Sequence, residues 1–273
     1  MATATAARGE SAPGLLRRLD VGTALSAALF ILLFGGWELA VIWGLMPAFV
    51  LPSPSDVVVR TVVDLTTATT LSDCVYTLTE ILVGFLGALI LGVGLGALIA
   101  LNPLADRVLS PYIVALQTIP KVAVAPILVI WFGFGIESKI VIVALIDFFP
   151  ILVNAVSGFR STDPRQILLM KSLEATDWQI FVKVRLPNAT PFLMAGIYIS
   201  MIFSVIGAVV GEFIGSARGL GSLIVQRQAS MDVIGVFSIL VILTLIGIVL
   251  NIAAKMIGRR LAFWSETEGA SGI

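Results

Sequence analysis

Apolar residues in this chain do not alternate with polar ones; they run in long blocks separated by short stretches in which proline, glycine and charge collect. At 1.5 Å per residue, about twenty apolar residues cross the hydrocarbon of a bilayer, so each block predicts a membrane-spanning helix. The predicted spans are Thr23 to Gly44, Thr77 to Leu101, Tyr112 to about Phe132, Ser138 to Phe159, Phe192 to Ile214 and Val233 to Ile257. The architecture expected is therefore all-α and polytopic, with about six transmembrane helices. Trp37 and Trp43 suit the far end of the first span. After it, Leu51-Pro52-Ser53-Pro54-Ser55 breaks the chain, and Asp56 to Leu71 predicts an interfacial or extramembrane helix.

The spans differ in what interrupts them. The second carries glycines at 84, 87, 92, 94 and 96, a pattern of small residues that lets helices approach closely in lipid, so it is placed in the interior. Pro120 and Pro126 break the third around Lys121; freed carbonyls at membrane depth need protein or a wet cavity around them. The fourth holds Asp147 just before Phe148-Phe149-Pro150, and Gly219 to Ile224 opens a short helix outside the main spans.

Residues Arg160 to Pro191 form the long polar segment between the fourth and fifth spans. Asp163 as N-cap and Pro164 at the first helical position predict one short helix, to about Leu173. Thr176-Asp177-Trp178-Gln179 is a capping-box pattern and opens a second, expected to end at Leu186-Pro187. Arg165, Lys171, Lys183 and Arg185 stand beside Leu168, Leu169, Met170, Leu173, Trp178, Ile180 and Phe181. Such a pair of helices suits either a docking element for another protein or an amphipathic loop on the lipid interface; physical chemistry alone leaves both open.

Composition narrows the function. The chain has 273 residues, of which 58% are hydrophobic and 12% charged, and a mean hydropathy of +1.06, which places it in a bilayer. Lysine plus arginine number 17 against 17 acidic residues, so nothing suggests nucleic acid as a partner. Histidine is absent and Cys74 is the single cysteine, which removes the usual metal ligands, a disulfide and the H-E-x-x-H chemistry. Neither a G-x-x-x-x-G-K-[ST] phosphate loop nor a G-x-S-x-G elbow occurs; no catalytic residue is predicted, and energy for any transport must come from another subunit.

Basic residues fix the orientation. With six spans and the N-terminus inside, Arg8, Arg17, Arg18, Arg107, Arg160, Arg165, Lys171, Lys183, Arg185, Lys255, Arg259 and Arg260 are cytoplasmic. Arg60, Lys139, Arg218 and Arg227 fall outside. Residues 1–20 are then a cytoplasmic tail, 21–258 the membrane domain, and 259–273 a second cytoplasmic tail. Of the ionisable residues within or beside spans, Glu38, Glu80 and Glu212 are assigned to the interface. Lys121 either presents its cation to an anionic solute, or pairs with Asp147 or snorkels and only fixes packing.

Several stretches resemble a known family. Trp178-Gln179-Ile180-Phe181, Lys183, Arg185, Leu186-Pro187 and Pro191 look like the cytoplasmic EAA loop of type I permeases of binding-protein-dependent ABC importers. Gln117 to Lys121, Ala125-Pro126 and Trp131-Phe132-Gly133 match its nitrate, sulfonate, taurine and bicarbonate branch. Aligned on Leu186-Pro187, the family's Glu-Ala-Ala falls on Leu168-Leu169-Met170, and its usual glycine on Glu174. The resemblance implies a bacterial inner-membrane subunit whose loop, through Lys171, Glu174, Ala175, Asp177, Trp178 and Phe181, couples to an ATPase. It also implies a second copy of the chain, a dimer of ATP-binding subunits holding ATP and magnesium, and an extracytoplasmic solute-binding protein. Lys121 and Asp147 are the candidates for the solute pathway; the solute is expected to be anionic or a heterocyclic organic compound. A stand-alone secondary transporter or channel, or a membrane scaffold, is the competing class.

Overall fold

The computed structural model describes residues 21–47 and 49–262; the two predicted tails lie largely outside them, at 1–20 and 263–273. The described residues form eleven α-helices and one π-turn: α1 (Val21–Ile42), α2 (Pro54–Thr66), α3 (Ala68–Leu101), α4 (Pro103–Gln117), α5 (Lys121–Phe132), α6 (Ile136–Arg160), α7 (Pro164–Ser172), α8 (Asp177–Ile180), the π-turn Phe181–Arg185, α9 (Leu186–Phe213), α10 (Leu220–Ala229) and α11 (Val233–Leu261). Five stretches are long and apolar enough to cross a membrane; α4 and α5, bent by 97° at their break, make up a sixth. The prolines thus turn the third predicted span into a broken one.

The core is the trio α3, α6 and α9. Its packing depends on small residues, because lipid supplies no hydrophobic pressure between helices. A Cβ added at Gly84 would lie 2.6 Å from the Val143 Cβ, and one at Gly96 2.5 Å from the Ala155 Cβ. Gly87 and Gly94 face away from these partners. One side of α3 is therefore interior, while Leu82, Leu86, Ile90 and Leu91 on the other are exposed. Helix α1 stands apart, pinned where the Glu38 carboxylate accepts from the Ser55 N–H (3.1 Å) and hydroxyl (2.7 Å).

Polar groups staple one end of the bundle. Asp64 of α2 accepts both guanidinium N–H groups of Arg227 at 2.6 and 2.8 Å, the Ser238 hydroxyl at 2.5 Å and Arg60 Nε at 3.3 Å. Arg60 in turn reaches Asp232 at 2.7 Å, so α2, α10 and α11 share one network. Burial works to raise the Asp64 carboxyl, but the Arg227 and Ser238 hydrogen bonds and the two arginine charges hold it below the ordinary carboxylate value.

The interface assignment fails for two of the acids. Glu80 and Glu212 are 0% and 1% exposed and lie beside each other inside the bundle, with Lys139, also 0% exposed, close by. Thr77 Oγ1–H donates to Glu212 at 2.6 Å and the Gly221 N–H at 2.5 Å, while Asp73 accepts from the Gly219 N–H at 3.0 Å. The free N–H groups opening α10 are thereby met by carboxylates, where the helix dipole favours negative charge. Lys139, read from the sequence as an outer basic residue, turns inward and donates to the Phe134 carbonyl at 2.8 Å. Glu38 does sit at a helix end among exposed groups.

Candidate functional site

The polar segment folds into an elbow. Asp163 caps α7 by accepting the Arg165 N–H at 2.8 Å, and Pro164 occupies the first turn. The helix closes with the Ala175 N–H on the Met170 carbonyl and the Glu174 N–H on that of Lys171, both at 3.0 Å. This is a Schellman ending, in which the residue after the C-cap takes the left-handed conformation. That residue is Glu174, at φ 56°. The capping box then forms in full: the Gln179 N–H donates to Thr176 Oγ1 at 3.3 Å, and the Thr176 N–H to Gln179 Oε1 at 2.9 Å.

Leu186-Pro187 does not end the second helix. The chain passes through it into α9, because the π-turn widens the ladder just before the proline: the Leu186 N–H bonds to the Phe181 carbonyl, five residues back. Ordinary α-geometry would press the Pro187 ring toward the carbonyl of Lys183. α8, the π-turn and α9 thus form one continuous rod from Asp177 to Phe213.

The elbow is fixed to the bundle at its base and bare at its tip. Asn188 of α9 donates to Gln166 of α7 at 2.9 Å, and Arg160 pairs with Asp106 of α4 at 2.7 Å. Phe181 stacks on the buried Phe159 (centroids 5.5 Å apart), and Trp178 on Phe181 (5.7 Å). Lys171, Asp177 and Phe181 line one hollow of about 270 Å³ with Leu101, Ile180 and Arg185. Glu174 is exposed and Ala175 half-buried at the turn above it. Outward stand Leu168, Leu169, Leu173 and Trp178, each 62 to 71% exposed. Apolar side chains bare on a polar elbow suit a protein partner or a lipid interface.

The second candidate place is the α4/α5 break. Lys121 opens α5, its Nζ donating back across the break to the Gln117 carbonyl at 3.3 Å and lying 4.8 Å above the Phe149 ring. A hollow of about 250 Å³ beside the break is lined by Gln117, Ser110, Ile113, Leu152 and Ser157. Asp147 does not join Lys121. It is fully buried, its Oδ2 accepts the Ser204 hydroxyl at 2.5 Å, and its backbone carbonyl accepts that of Ser200 at 3.2 Å. Among the described residues no ion pair links the two, so the packing pair considered from the sequence is absent. Asp147 instead belongs to the α6/α9 seam.

Sequence reasoning missed the inner cluster of Glu80, Glu212 and Lys139. A signal was present: Thr77, Glu80 and Gly84 recur at helical spacing, so Glu80 shares the face of the glycine that packs on Val143. No group of acidic, cysteine or histidine residues able to hold a metal occurs among the described residues.

Residues 88–263 match the family model described as the binding-protein-dependent transport system inner membrane component. Over 239 residues the chain is 36% identical to the formylaminopyrimidine transport permease protein ThiX of Halalkalibacterium halodurans, spanning 88% of this chain and 95% of that one. It is 37% identical over 238 residues to the riboflavin transport system permease protein RibX of Chloroflexus aurantiacus (87% and 88%). With the taurine transport system permease protein TauC of Escherichia coli the identity is 28% over 251 residues (90% and 89%). An inward-facing structure of the MetNI methionine ABC transporter shares the fold, with a TM-score of 0.60 at 22% identity over 68% of this chain and 93% of that one.

Proposed function

Because the chain belongs to the inner membrane components of binding-protein-dependent transport systems, the permeases of ABC importers, we propose that its elbow is the element that engages the ATPase. The class itself is settled by the family: a multi-pass membrane permease of an ABC importer for a small solute, a class that implies an ATP-binding subunit and a binding protein as partners. A stand-alone transporter is disfavoured on the same ground.

One observation carries the coupling role. Trp178, 71% exposed, sits at the end of a continuous rod that runs through the bundle to the buried Glu212. A push on its tip is transmitted as rigid-body motion along α9, the kind of displacement by which alternating access proceeds. Lys171, Asp177 and Phe181 shape the hollow under the tip, and Glu174 and Ala175 set the turn that holds it. Trp178→Ala should weaken co-purification of the ATP-binding subunit; undiminished capture with full transport-coupled hydrolysis places the anchor elsewhere.

Lys121 is proposed to face the solute pathway from the broken helix, offering a cation beside the Phe149 ring. Asp147 supports this place from behind, holding α6 to α9 through Ser204. Two relatives above 35% identity are named for formylaminopyrimidine and riboflavin transport and a more distant one for taurine. A small heterocyclic or anionic organic solute suits both those names and a cation next to an aromatic face. Pairing with a second copy follows from two-fold closure of the pathway. The excess of basic residues on the elbow and the two tails supports a cytoplasmic position for all three.

A further inference from the structure

We propose that the groove between α9 and α11 is a site for an anionic phospholipid: an acyl chain lies along its apolar walls, and Lys255 at its mouth meets the charged headgroup. The site needs only the membrane setting that the family establishes, whatever the elbow docks.

The groove is a hollow of about 700 Å³ to which α9 contributes Ile202 and Ile206, and α11 Ile248 and Ile252, each 47 to 54% exposed. Gly247 keeps it open: a Cβ there would meet only Val205, at 3.7 Å, so this glycine serves no close approach of helices. The Thr244 hydroxyl is spent on the Leu240 carbonyl at 2.8 Å, which leaves Asn251 and Lys255 as the polar side chains free for a ligand. Gly247, Asn251 and Lys255 recur every four residues, so they share one face of α11. Lys255 lies at the elbow end of the bundle, because Gly258 packs against Met194 and Tyr198, in the half of α9 that leads back to the π-turn.

Charge selects the occupant. Among the described residues no carboxylate pairs with Lys255, nor with Arg259 and Arg260 one turn on. The helix dipole accounts for the two arginines, which stand in the last turn of α11, but its pull fades within that turn and Lys255 precedes it. An ammonium on a long apolar stem reaches the lipid headgroups from within the hydrocarbon. With an amide beside it and two further cations above, it matches a phosphate whose headgroup carries no cation of its own. A second copy fits the groove less well: a two-fold contact would set this surface against itself, and its lining holds no acid to meet either Lys255.

The test uses the full chain with its ATP-binding subunit in phosphatidylcholine vesicles. These carry a trace of either phosphatidylglycerol or phosphatidylcholine with a photoactivatable diazirine in the acyl chain, and adducts are mapped by mass spectrometry. Residues 248–252 should label more with phosphatidylglycerol, by roughly three-fold or more. The hollow of about 490 Å³ lined by Ile90, Leu91 and Leu98, which has no ionisable lining residue, should label equally with both. Lys255→Gln should abolish the preference and Lys255→Arg keep it, with labelling of the α3 hollow unchanged in each. Equal labelling of the groove by the two lipids, or a preference that survives Lys255→Gln, overturns the proposal. So does a groove that neither lipid labels while Ile248→Cys, in a Cys74→Ser background, cross-links to a second copy.

Discussion

At the scale of single residues, Glu174 shows a position that the surrounding hydrogen bonds dictate against the residue's own preference. Its left-handed backbone is fixed by the two bonds that close α7, and a side chain there costs about 1 kcal/mol relative to glycine. Glu174→Gly should therefore slow hydrogen exchange of the last amides of α7 by roughly five-fold, a change of about 1 kcal/mol. Unchanged exchange would mean that the glutamate is not strained. Lys121 carries the second prediction at this scale: Lys121→Ala should abolish solute uptake in vesicles while the ATP-binding subunit still co-purifies. Its Nζ binds only a carbonyl and an aromatic face, so the bundle loses little packing with it. Residues also mark where the sequence misleads. Glu80 and Lys139 stand near the ends of apolar blocks in the sequence, but α3 begins at Ala68, well before the block, so Glu80 lies deeper than its place in the text suggests.

At the scale of elements, hydrophobic blocks, caps and prolines made most of the fold legible. The Asp163 and Thr176 caps start the helices they announce, because a cap acts through groups two or three residues away. Longer-range consequences were not legible. Leu186-Pro187 reads as a stop, yet the π-turn absorbs the proline; that choice depends on Phe181 finding Phe159, which no local pattern records. The charged staple of α2, α10 and α11 likewise joins residues far apart in the chain. Its pH dependence follows from Asp64. Since the folded carboxyl lies below its unfolded value near 3.8, its contribution is present above that pH and lost as pH falls through the lower, folded value. In detergent, Asp64→Asn should cost about 2 kcal/mol at neutral pH, because Arg227 is left poorly paired. The deficit in thermal stability should shrink as the medium is taken below about pH 4. A deficit that is the same at pH 7 and pH 3 would show that the carboxylate charge contributes nothing.

At the scale of the whole molecule, the chain is the membrane permease of an ABC importer. Its interior holds a packed α3/α6/α9 trio, a charged staple joins α2, α10 and α11, and its polar elbow bares the apolar tip. The family supplies the class of machine, and the elbow supplies the place where force enters, a proposal that rests on exposure, stacking and continuity with α9. The most direct measurement is cross-linking from Trp178→Cys, in a Cys74→Ser background, to the ATP-binding subunit in the assembled transporter, read with and without ATP. The account predicts a specific cross-link to that subunit and loss of coupled uptake once it forms. A thiol at position 178 that reaches only lipid, while uptake and hydrolysis remain coupled, would contradict it.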